Sequence, residues 1–75
     1  MTGLNIPGLL KEIRRELGLT QEQLAHRIGV SFTSVNHWER GRRRPIPIAL
    51  DKIKTLAQEA NLDLADFTQP EEEGR

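Results

Sequence analysis

The sequence predicts an all-α fold, a compact domain of four to five helices built around a central pair, and three observations lead there. Apolar residues recur three and four positions apart over separate stretches, the spacing that lines one side of a helix. Residues suited to starting helices alternate with residues suited to ending them: Asn5 then Gly18, Thr20 then Gly29, Ser31, and Pro47 then Asn61. The length, 75 residues, is too short for two independent cores and leaves one small domain of modest stability.

Residues 1–5 are short and polar and are expected as a flexible lead. Asn5 can cap a first helix, Pro7 suits its first turn, and Leu9, Leu10, Ile13 and Leu17 form its apolar stripe up to Gly18, where a residue without a Cβ can turn left-handed. Lys11, Glu12, Arg15 and Glu16 fall on the solvated face, whereas Arg14 lies one residue from the stripe.

Thr20 and Gln23 form a capping box, so the second helix begins near Gln21. Leu24, Ala25 and Ile28 are its stripe and Gly29 its end, at a tight crossing expected to leave no room for a side chain. Ser31 offers a new cap only two residues on, so the third helix, about 32–40, leaves at a steep angle. At about 100° per residue from Val35, Trp38 and Glu39 share the inner side, while Thr33, Asn36, His37 and Arg40 share the outer one. Phe32 lies between the faces and can either complete the core or meet an apolar group outside it.

Arg42, Arg43 and Arg44 follow, then Pro45 and Pro47, which hold the connection extended into a fourth helix over about 47–60. Its stripe is Ile46 or Ala49, then Leu50, Ile53, Leu56, Ala57 and Ala60. Leu62, Leu64 and Phe67, with Asp63 as a cap, suit a last short helical turn that either closes the core or faces a second copy. Residues 68–75 hold three Glu beside Gln, Pro and Gly and are expected as a disordered acidic tail, which leaves 6–67 as the folded domain.

Net charge is zero, but it is segregated. Residues 1–44 carry eight Lys or Arg against four acids, a balance of +4, and residues 45–75 carry three against seven, a balance of −4. A basic half beside an acidic tail suits a polyanion-binding face. There is no cysteine, and His26 and His37 each stand without a second ligand at helical spacing, so neither a metal nor any other cofactor is expected. Nothing resembles a catalytic constellation, which argues against an enzyme. The N-terminus has no signal-peptide pattern and no apolar run approaches the ~20 residues of a membrane span, so a cytoplasmic protein is expected.

Gln21, Ala25, Gly29, Val35, Trp38, Glu39, Gly41 and the basic run to Pro45 resemble the helix-turn-helix of the Cro and phage-repressor family of DNA-binding domains, over roughly Leu9 to Leu62. The resemblance implies a lambda-repressor-like fold in which Ala25 permits close helix crossing, Gly29 takes the turn, Val35 and Trp38 fill the space between helices, and Arg14 pairs with Glu39. It also implies a third helix in the major groove of double-stranded DNA, with Phe32, Thr33, Asn36 and His37 against base edges. Gln21, Ser31, Arg40, Arg42, Arg43 and Arg44 would then face the sugar-phosphate backbone, where arginine forks match phosphate oxygens.

The function so implied is a sequence-specific transcriptional regulator, a repressor, acting as a homodimer on two half-sites. An alternative from a different class is a protein-interaction module, such as the antitoxin of a toxin-antitoxin pair, which a co-purifying protein partner would favour.

Overall fold

The computed structural model describes residues 2–70. Four α-helices carry the domain: α1 (Ile6–Leu17), α2 (Gln21–Ile28), α3 (Phe32–Glu39) and α4 (Pro47–Glu59), followed by a 3-10 helix at Leu64–Phe67. The all-α class and the helix order agree with the sequence reading, and α3 and α4 each end one residue earlier than expected.

The boundaries follow from local chemistry. The Asn5 side chain accepts from the Gly8 N–H, and Gly18 ends α1 at φ 68°. Both halves of the capping box on α2 are made: Thr20 Oγ1 accepts from Gln23 N at 3.1 Å, and Gln23 Oε1 accepts from Thr20 N at 2.9 Å. Gly29 stands at φ 89°, and the N–H groups of Gly29 and Val30 both donate to the Ala25 carbonyl, so the turn is sealed by backbone alone. A Cβ built at Gly29 would meet only Lys52 Nζ, at 3.8 Å. The expected crowding there is therefore corrected: glycine is needed for its backbone angle, not for space.

The core takes Ile6, Leu9, Leu10 and Ile13 from α1, Leu24, Ala25 and Ile28 from α2, Val35 and Trp38 from α3, and Ala49, Ile53, Leu56 and Ala57 from α4. Ala49, not Ile46, begins the buried stripe of α4, and Ile46 is 63% exposed. Leu62, Leu64 and Phe67 are half-buried against this core.

Two strands were not expected. Thr2–Leu4 (β1) pairs antiparallel with Thr68–Pro70 (β2), with Leu4 opposite Thr68 and Thr2 opposite Pro70. These strands fall within the expected flexible lead, residues 1–5, and at the start of the expected acidic tail at 68. The cause is tertiary: Leu4 packs on the core, and Asn5 N–H donates to the Phe67 carbonyl at 2.6 Å, which aligns the two segments. A two-stranded ribbon has little stability alone and persists here because its ends are docked. Met1 and the rest of the acidic tail, residues 71–75, lie outside the described residues.

Candidate nucleic-acid interface

The α2–α3 pair presents two unlike sides of α3. Inward, Val35, Trp38 and Glu39 are buried, Trp38 at 6% and Glu39 at 4% exposure. The Trp38 ring is thus a core group and not a free stacking surface. Outward, Phe32, Thr33 and Arg40 are exposed, while Asn36 and His37 are half-buried. Phe32, at 47% exposure, does not complete the core; it borders a shallow groove with Arg14, Leu19, Thr20, Gln21 and Glu22, between the starts of α2 and α3.

Ser31 is exposed and its Oγ accepts from Ser34 N at 3.1 Å, so the hydroxyl closes the first turn of α3. At the other end Gly41, at φ 74°, turns the chain, and Arg42 N–H donates to the His37 carbonyl at 2.9 Å. Arg42, Arg43 and Arg44 then stand exposed, and none of them makes a salt bridge among the described residues. Among the described residues nothing occupies their forks.

A single buried carboxylate organises the base of this surface. Glu39 Oε2 accepts from Arg14 Nε at 2.7 Å, and its Oε1 accepts from Arg14 Nη2 at 3.0 Å, a two-pronged ion pair. The hydrogen bond to Glu39 holds the Arg14 guanidinium above its ordinary value, so the cation is permanent. The pairing implied by the family resemblance is formed. Gln21 Nε2 also donates to Glu39 Oε1, at 2.9 Å, and Gln21 Oε1 accepts from Asn36 Nδ2 at 3.3 Å. Every buried side-chain nitrogen and oxygen among the described residues has a partner.

The sequence reading placed Gln21 at the DNA backbone and Asn36 at base edges as separate residues, and it missed that they touch. One signal was available: a carboxylate has about four acceptor sites and one guanidinium fork fills only part of them, so a buried Glu39 needed a further donor. Ala25, 3% exposed, lies at the packed side of α2. The four residues read as groove-facing, Phe32, Thr33, Asn36 and His37, all fall on α3, and Arg40 through Arg44 run from its end. Among the described residues no cluster of His, Cys, Asp and Glu could hold a metal, and no helix is long and apolar enough to cross a membrane.

The chain matches the helix-turn-helix family model over residues 10–67. It is 38% identical over 64 residues to a propionyl-CoA carboxylase regulator of Cereibacter sphaeroides, covering 85% of this chain and 13% of that protein. A helix-turn-helix-type transcriptional regulator of Methanothermobacter thermautotrophicus is 47% identical over 45 residues, 60% of this chain and 65% of its own length. Another such regulator, from Sinorhizobium fredii, is 39% identical over 61 residues, covering 81% of this chain and 75% of its own. The chain thus spans less than two thirds of the length of the first two relatives. With the family model matching most of its length, residues 10–67, which include all of α2 and α3, the chain belongs to the Cro and phage-repressor type of helix-turn-helix family.

Proposed function

We propose that this domain binds double-stranded DNA sequence-specifically and regulates transcription, as a repressor, with α3 in the major groove. The observation that carries the reading is the outer side of α3: hydrogen-bonding groups at Thr33, Asn36 and His37, continued at once by three exposed arginines that pair with no acid among the described residues. Thr33, Asn36, His37 and the exposed Phe32 ring face base edges, where Asn matches adenine and an apolar group meets a thymine methyl. Arg40, Arg42, Arg43 and Arg44 hold the phosphates and set register rather than sequence. Ser31 and the first-turn amides of α2 supply further donors to the backbone.

A single module of this size makes a modest interface, so a homodimer on two related half-sites supplies the remaining affinity. The exposed Ile46 and Ile48, beside Ile28 and Val30, offer an apolar surface for the second copy. No observation favours the antitoxin alternative.

Selection of bound duplexes from a random pool tests the reading. The expected product is a pair of related half-sites about 10 base pairs apart, centre to centre. Recovery of no motif overturns it. Thr33→Ala and His37→Ala are expected to leave the melting temperature near wild type and to lower affinity for the selected site by ~1 to 3 kcal/mol, with affinity for scrambled duplex unchanged.

A further inference from the structure

We infer that Glu39, acting through Gln21, fixes which way the Asn36 amide points, and that Asn36 thereby selects adenine over guanine at the base pair it faces. The inference rests on the proposed DNA reading and concerns how one position is discriminated.

The polarity is dictated from inside the protein outward. The Glu39 carboxylate is already held by the Arg14 fork and can only accept, so the Gln21 amide must turn its Nε2 toward it, as it does at 2.9 Å. That leaves Gln21 Oε1 facing α3, where it requires a donor and receives Asn36 Nδ2 at 3.3 Å. The reverse orientation of either amide would set oxygen against oxygen. Asn36 is left with Oδ1 and one N–H, and no other side-chain hydrogen bond holds it among the described residues.

An acceptor beside a donor is the pattern that pairs with adenine, which offers the N6 amino donor and the N7 acceptor in the major groove. Guanine offers two acceptors there, O6 and N7, so a locked Asn36 would place Oδ1 against O6. An asparagine free to rotate its amide would escape this by presenting Nδ2 to guanine instead. The carboxylate, buried and out of reach of the DNA, is thus a positioning residue for specificity, and Gln21 is the link that transmits it.

The test uses Gln21→Met, which keeps the length of the side chain, removes both amide contacts and leaves the Arg14–Glu39 fork in place. Asn36→Ala first identifies the base pair concerned, as the one position whose preference it abolishes in the selected site. Wild type is expected to prefer adenine over guanine there by roughly tenfold, and Gln21→Met to bring the two within about twofold. The melting temperature should fall modestly, because the buried Glu39 loses its third hydrogen bond, and the adenine-to-guanine ratio is read within each protein so that any uniform change in affinity cancels from it. Full retention of the adenine preference in Gln21→Met overturns the inference while leaving groove reading intact. An equal loss on all sequences with the adenine preference retained also overturns it, since Gln21 is then only a phosphate contact. If wild type enriches no sequence, the groove reading fails and the inference with it.

Discussion

Arg14 and the run Arg42–Arg44 are the same side chain in opposite circumstances. Arg14 meets a carboxylate buried to 4% exposure, gives it two hydrogen bonds and becomes part of the fold. Arg42, Arg43 and Arg44 follow α3 into an open connection where nothing described pairs with them. The difference teaches that an arginine's role is decided by where its anion comes from. When the protein supplies the anion, the guanidinium shapes the interior; when it does not, the fork is left for a ligand.

The sharpest way to break this contrast is Arg14→Leu. It strands the Glu39 carboxylate with only the Gln21 amide, and loss of one partner of a buried pair costs about 3 to 5 kcal/mol. Since the Arg14 side chain is 27% exposed, water can reach part of the site and the lower end is expected. Denaturant titration measures it, and a cost under ~1 kcal/mol would show that the carboxylate does not depend on its arginine. Replacing both, as Arg14→Leu with Glu39→Met, should recover most of that stability, because the pair gains little over apolar groups of similar volume.

The triple change Arg42→Ala, Arg43→Ala, Arg44→Ala should do the reverse. Stability should stay within about 0.5 kcal/mol per substitution, as for surface changes that remove no packing. Binding should weaken equally on every duplex, with the log–log salt slope reduced by roughly two to three, near 0.9 per lost phosphate contact. An unchanged slope would place these arginines away from the backbone.

Arg15 gives the smallest effect and marks the boundary of the comparison. It has a protein anion, Glu12, on the same exposed face of α1, and its hydrogen bond holds the Glu12 carboxyl below the ordinary 4.5. A carboxyl so lowered contributes above its unfolded value and loses that contribution as pH falls through its folded one. Arg15→Ala should therefore produce a barely resolvable drop in melting temperature at pH 7, and none in acid once Glu12 and its second partner, Glu16, are protonated. An Arg15 effect as large as that of Arg14 would mean that burial of the partner is not what matters.

Much of the fold was legible because its signals are local. Thr20 with Gln23, Gly18, Gly29 and Ser31 each act on a backbone group within four residues, so they can be read without knowing the tertiary structure. Inward and outward sides of α3 were legible for the same reason, as a matter of angle around a helix. The Gln21–Asn36 contact was not, because the direction of a side-chain amide depends on which carboxylate lies next to it in space. The two strands were illegible on other grounds. Their pairing is made by backbone groups, and neither Thr2–Leu4 nor Thr68–Pro70 is long enough to show an alternation. The space beside Gly29 was likewise hidden, since φ 89° and crowding call for the same residue.

The β1–β2 ladder also has a consequence in time. It joins Thr2 to Pro70, so nearly the whole described chain lies between the paired residues, whereas the turns around α2 and α3 close over a handful. The entropy of closing so long a loop is offset only once α1 and the 3-10 helix have brought Asn5 and Phe67 together. The ladder is therefore expected to form after the folding barrier is crossed. Leu4→Ala should accordingly steepen nothing in the folding limb of a chevron and raise the unfolding rate instead, so that this short ribbon acts as a latch on how long the folded domain survives.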